Sequence, residues 1–183
     1  MASVLVPLAQ GCEELEAVTI IDLLVRAGVA VTTAGLGNGP VKASRGVTLL
    51  PDTDLNTALQ DSYDMVVLPG GLPGAQHLED DPRIRQLLQL MHQAGKYIAA
   101  ICAAPKVLAA AGLLDGRQVT SYPGFLDITP PPGTSYSSNA VVQDGNIITS
   151  RGPGTAMDFT LHLIELLCGK DKRAEVEKGL VRP

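Results

Sequence analysis

Cys102 stands in the run Ala99-Ala100-Ile101-Cys102-Ala103-Ala104-Pro105, where a strand-like apolar stretch gives way to a helix start. A nucleophile on so tight a turn needs small residues two positions before and after it, because neighbouring backbone passes close, and Ala100 and Ala104 meet that need. The pattern is a nucleophile elbow built on cysteine. Unpaired N–H groups and the dipole at a helix N-terminus favour an anion, so a thiol with a lowered pKa is expected there. The N–H groups of the turn, with those of the Gly70-Gly71 loop, are candidates for holding a developing oxyanion. The plainer alternative, a cysteine serving as a small buried hydrophobe, leaves the small-residue turn unexplained. Cys168, beside Gly169, ends an amphipathic helix and reads as structural, while Cys12 at the first strand-to-helix turn is a weaker candidate for a role.

A thiol of this kind needs a proton partner. A carboxyl at hydrogen-bond distance would be kept protonated by desolvation and by the neighbouring negative charge, and its proton would stabilise the thiolate. Glu13, Glu14 and Glu16 all follow the first predicted strand, and residue type alone does not choose among them, since all three also suit the positive end of a helix. A cysteine hydrolase ordinarily uses a histidine base. His92 and His162 fall on predicted helix faces, which leaves His77, after the Gly70-Gly71 loop, as the one histidine placed for a site. No two histidines share metal-ligand spacing with a cysteine, so no metal is expected. Gly70-Gly71-Leu72-Pro73-Gly74 lacks the lysine of a phosphate loop.

Short apolar runs alternate with amphipathic stretches along the chain, the pattern of βαβ units around a mostly parallel sheet. Strands are expected at Ser3 to Ala9, Val29 to Leu36, Tyr63 to Leu68 and Tyr97 to Ile101, with short ones within Val41 to Leu50, at Val119 to Ser121, and as a hairpin about Asp144-Gly145. Helices are expected at Glu13 to Ala27, Leu55 to Leu59, Pro82 to Ala94, Pro105 to Ala111, Thr155 to Leu167 and Asp171 to Lys178. Asp127 to Ser138 reads as a Pro-rich loop. In such sheets the functional crevice lies beyond the carboxyl ends of the strands, which brings Glu13 to Glu16, Gly70-Gly71 and Cys102 together.

Composition narrows the function classes. The 183 residues carry a net charge of −5 without a basic stripe, which argues against a nucleic-acid or anionic-membrane partner. No apolar run reaches the length of a membrane span. The N-terminus reads as a strand rather than a signal peptide, so a cytoplasmic protein is expected, its three cysteines free thiols.

Further motifs join the elbow: Glu13-Glu14-Leu15-Glu16-Ala17-Val18, Arg26-Ala27-Gly28, Ser44-Arg45-Gly46, Val67-Leu68-Pro69-Gly70-Gly71 and Thr149-Ser150-Arg151-Gly152-Pro153-Gly154-Thr155. Together they resemble the ThiJ/PfpI superfamily, in the branch of the parkinsonism-associated protein deglycase and its bacterial relatives. The resemblance implies one domain over residues 1–183 with a flavodoxin-like doubly wound α/β fold, a mostly parallel sheet with helices on both faces, in a homodimer with its sites near the interface. It assigns the nucleophile to Cys102, the protonated carboxyl to Glu16, and oxyanion donors to Gly71 and Ala103. Gly70, Arg26, Arg45 and Tyr122 are implied at the substrate site or the interface. The implied activity is a cofactor-independent deglycase or glyoxalase acting on methylglyoxal or glyoxal, or on their early adducts with proteins or nucleotides, and releasing lactate or glycolate. The alternative is a redox-sensing chaperone regulated by oxidation of the same cysteine. Ala103 stands where PfpI-type proteases carry histidine, which argues against peptidase activity, and Tyr122 before Pro123 stands where some members carry another. Cys12 replaces a small residue.

Overall fold

The computed structural model describes residues 1–182. The chain runs β1 (Ser3–Leu8), α1 (Glu14–Arg26), β2 (Ala30–Gly35), β3 (Val41–Lys42), β4 (Thr48–Leu49), β5 (Thr53–Asp54), α2 (Leu55–Ala58), β6 (Met65–Leu68), α3 (Gly74–Asp80), α4 (Pro82–Gln93), β7 (Tyr97–Ile101) and α5 (Pro105–Ala110). Then follow β8 (Gln118–Val119), β9 (Ser135–Tyr136), β10 (Val141–Asp144), β11 (Ile147–Ser150), a 3-10 turn (Pro153–Thr155), α6 (Ala156–Cys168) and α7 (Lys170–Gly179).

Seven strands form the main sheet in the order β10-β11-β7-β6-β1-β2-β5, with every neighbouring pair parallel except the β10–β11 hairpin. The continuous apolar runs are what a sheet covered on both faces requires, and all four residues of β6 and of β11 are buried. Alternate side chains feed two cores. Val4, Val6, Leu8, Val67 and Ile101 pack with Ile20 and Leu24 of α1 and Phe159 of α6. Leu5, Val66, Leu68, Ile98 and Ala100 pack with Ile84 and Leu88 of α4 and Leu108 of α5. This is the flavodoxin-like α/β fold. The strand order reverses at β1 and β6, so the crevice between their carboxyl ends is the place where a site is expected.

Most expected elements are present within one or two residues at each end. The structure adds α3, β5 and β9. Helix α3 was hidden because Gly74 opens it and its apolar face is only Ala75 and Leu78, while β9 sits inside the segment expected to be a Pro-rich loop. Thr155, expected to start a helix, ends the 3-10 turn before α6.

Candidate active site

Cys102 follows β7 with φ 64, a left-handed conformation that costs a residue with a side chain about 1–3 kcal/mol and persists only where its surroundings impose it. Two main-chain bonds do so. The Cys102 N–H donates to Ser150 O at 3.0 Å, and its carbonyl accepts from Tyr122 N–H at 2.8 Å, so the elbow is clamped between the end of β11 and the loop after β8. The sulfur then meets the N–H groups of Gly71 and Ala103.

The first turn of α1 separates the three acidic residues that sequence left undivided. Glu14 is tied to the loop between β3 and β4: it accepts from the Ser44 hydroxyl and from the N–H groups of Arg45 and Val47. Burial works to raise its pKa, but these bonds and its own N–H hold the carboxyl below the ordinary range. Glu13 lies at the mouth of the site, sharing the Ser44 hydroxyl at 3.0 Å. Glu16 is fully buried, accepts from Gly70 N–H at 2.8 Å through Oε2, and lies in hydrogen-bond contact with the Cys102 thiol. Its Oε1 is buried with no partner.

Burial is the main cause that pushes Glu16 up to about 7. Burial and then the Glu16 charge push Cys102 up to about 12, against the N–H groups of Gly71 and Ala103. The lowered thiol pKa expected from the helix end is therefore not found. Helix α5 is only six residues long and opens on Pro105, which has no N–H to offer, and desolvation outweighs what remains. Glu16 gives up its proton first, and near neutral pH it faces a protonated thiol. It is placed to take the thiol proton as the sulfur attacks. Burial pushes Cys12 up to about 11, and it is 1% exposed and does not line the cavity over the Cys102 sulfur, so it is closed off from that site.

A cavity of about 330 Å³ opens over the sulfur, lined by Glu13, Ser44, Arg45, Gly71, Leu72 and Tyr122 among others. Gly70 lies behind it: a Cβ there would stand 2.6 Å from Cys102 Cβ and 2.9 Å from Glu16 Oε2. Arg26 is elsewhere. It is exposed at the other end of α1, about 15 Å along the helix from Glu16, and pairs with Asp22 at 2.6 Å. His77 bonds Gln10 O and His162 bonds Gln143, and no histidine lines the cavity. Sequence reasoning passed over Leu72, Phe125 and Pro153 as lining residues, and over the anchoring part of Glu14, because those three residues and the partners of Glu14 lie outside the regular helices and strands and carry no periodic signal. Among the described residues no group of three or more His, Cys, Asp or Glu is placed to hold a metal ion. A larger cavity, about 410 Å³, lies against α4 around Tyr63, Leu87 and Leu90, and contains neither the thiol nor its carboxyl partner.

Gly71 is the tightest of these joints. Its φ is +87, and a Cβ would fall 2.4 Å from Glu13 N and 2.8 Å from Cys12 C, both backbone atoms. Gly71→Ala should cost about 3 kcal/mol or more, from left-handed strain plus overpacking. Thermal unfolding should show a fall of about 6–12 °C.

Over residues 2–166 the chain matches the model of the DJ-1/PfpI family. The chain belongs to that family. Protein dj-1beta of Drosophila melanogaster is 49% identical over 183 residues, covering 98% of this chain and 96% of the relative. A crystal structure of Drosophila melanogaster DJ-1beta superposes with a TM-score of 0.94 at 46% identity, covering 100% of this chain and 98% of that one. The relative named glutathione-independent glyoxalase DJR-1.2, from Caenorhabditis elegans, is 37% identical over 98% of this chain and 95% of its own. The relatives of this chain therefore include one named as a glyoxalase that matches 98% of its length. No helix among the described residues is long and apolar enough to cross a membrane.

Proposed function

We propose that this DJ-1/PfpI member is a cysteine-dependent, cofactor-independent glyoxalase that also accepts the early adducts of α-oxoaldehydes with amines and thiols, a deglycase activity. The observation that carries the reading is the strained Cys102, held between two N–H donors and a buried carboxyl at the floor of an open cavity. Ionised Glu16 takes the thiol proton as Cys102 Sγ adds to the aldehyde carbon, and the N–H groups of Gly71 and Ala103 receive the charge that develops on oxygen. Glu16 returns that proton to the oxyanion, giving a neutral hemithioacetal, and then carries the proton of the former aldehyde carbon to the neighbouring carbonyl carbon while the hydroxyl proton passes to the carbonyl oxygen, which leaves a thioester. Water then releases lactate from methylglyoxal, or glycolate from glyoxal, and restores the thiol. The test is lactate formation from methylglyoxal by the wild type and by Cys102→Ser.

The same donors suit a sulfinate on Cys102, which supports the second reading, a redox-regulated chaperone. Stoichiometric peroxide separates the two: an enzyme loses lactate formation on oxidation, whereas a chaperone of this kind gains suppression of client aggregation.

The protein is further read as a cytoplasmic homodimer. Leu15, Val18 and Val25 leave an exposed apolar stripe along α1, extended by Val47, whose N–H bonds Glu14. A second copy of the chain on this stripe would bring Arg26 into the interface. Val18→Glu should shift the sedimentation mass from dimer to monomer, and a monomeric wild type would refute the assignment.

A further inference from the structure

We infer that the site has a second compartment, behind Tyr122, that binds an anionic group carried by the substrate on the side away from its carbonyl. A cavity of about 210 Å³ is lined by Tyr122, Pro123, Arg151, Gly152, Pro153, Gly154 and Thr155. It shares Tyr122 and Pro153 with the cavity over Cys102, so the two adjoin at the Tyr122 ring. Gly152 lets that ring sit there, since a Cβ would press on Tyr122 Cδ2 at 3.1 Å.

Arg151 is the charged group of this compartment, and its bonding is unfinished. Nε is buried without a partner, and the one bond the guanidinium makes is a long one, 3.3 Å, from an NH1 nitrogen to Ser138 O. No carboxylate pairs with it among the described residues. Arg26, Arg83, Arg117, Arg173 and Arg182 each hold an aspartate or glutamate within 4 Å, whereas Arg151, like Arg45 and Arg85, holds none among the described residues, and of these three only Arg151 has a buried nitrogen without a partner. In a chain of net charge −5, a guanidinium without an acid, in a compartment that adjoins the cavity over Cys102, can take a carboxylate or a phosphate on its planar fork. At about 210 Å³ the compartment is below the ~300–1,000 Å³ of a whole ligand site and suits one substituent of a larger molecule. The substrate class is an α-oxoaldehyde adduct whose amine or thiol portion bears that anion. This assignment of substrate rests on the glyoxalase and deglycase reading, whereas the anion subsite does not.

Labelling of Cys102 tests the subsite without any turnover. A methanethiosulfonate reagent transfers its thioalkyl group to the Cys102 sulfur, releasing methanesulfinate while the thiol proton goes to solvent. Rates for the anionic sulfonatoethyl and the cationic trimethylammonioethyl reagents, read by mass spectrometry at Cys102 and normalised to a small free thiol, report the field of the compartment. The wild type should prefer the anionic reagent, and Arg151→Gln should lower that preference about tenfold or more. Arg151→Lys should keep part of it. Inorganic phosphate should slow anionic labelling of the wild type, which requires no variant to fold. Equal preference in wild type and Arg151→Gln, or no effect of phosphate, would overturn the subsite.

Turnover then identifies the anion. For a carboxylate source, kcat/KM for the methylglyoxal adduct of N-acetylcysteine is compared with that of its methyl ester. For a phosphate source, the adduct of guanosine monophosphate is compared with that of guanosine. The ratio that falls in Arg151→Gln names the group, and two unchanged ratios would overturn the substrate class. Labelling that depends on Arg151 in a protein that makes no lactate from any of these would leave the subsite standing and refute the activity.

Discussion

Cys102→Ser should lower lactate formation from methylglyoxal by about 10³-fold or more, with the fold intact. The hydroxyl is far less acidic than a thiol and a poorer nucleophile, so the gap that Glu16 must bridge in taking its proton is much wider. The variant retains the φ 64 conformation and both main-chain clamps, so its circular dichroism and unfolding temperature should stay close to those of the wild type. Lactate formation surviving at wild-type rates would remove the sulfur from the chemistry.

Glu16→Gln should have two large effects of opposite sign. Turnover should fall by about 10²–10⁴-fold, because an amide can accept from Gly70 N–H but cannot carry a proton between carbons. Stability at pH 8 should rise. Burial lifts the folded carboxyl from 4.5 to about 7, so the folded state binds the proton more tightly than the unfolded chain. That contribution is fully present below about pH 4.5 and is lost as pH climbs through about 7, after which the wild type buries a carboxylate at a cost of about 3 kcal/mol. Glutamine carries no such loss, so its unfolding temperature should exceed the wild type's by about 6–12 °C at pH 8, with the gap closing towards pH 5. In the wild type, kcat/KM should climb through about pH 7 as Glu16 ionises. A variant with neither effect would mark Glu16 as an ordinary helix-end charge.

The legible part of this molecule is the part written in periodicity and turn chemistry. Continuous apolar runs announced β6 and β7, and Asp81-Pro82 announced the start of α4, where Asp81 accepts from Arg83 N–H. The alanines around Cys102 announced the elbow. The pKa of the thiol could not be read there, because it depends on how much water the folded site excludes and on which carboxyl arrives beside the sulfur. Choosing among Glu13, Glu14 and Glu16 needs the same information. From residue types, all three are helix-end acids, and only the seating of Gly70 against α1 and of Ser44-Arg45 against Glu14 gives each a different neighbour. Arg151 was invisible as a lone cation, since what singles it out is the lack of a partner in three dimensions.

The loops around the sulfur are stitched to one another by main chain: Glu13 N–H to Gly70 O, Ser44 N–H to Cys12 O, Tyr122 N–H to Cys102 O and Cys102 N–H to Ser150 O. None of these bonds consults a side chain. The frame that sets the thiol against its carboxyl is therefore insulated from the residues that shape the cavity wall. Leu72 and Tyr122, each about half exposed, are the wall positions least tied to the core, whereas Phe125 also packs against it. Such a scaffold suits diversification, natural or directed: libraries confined to those two exposed positions should yield altered substrate preference with little change in melting temperature, whereas changes at Gly70 or Gly71 would break the stitching itself.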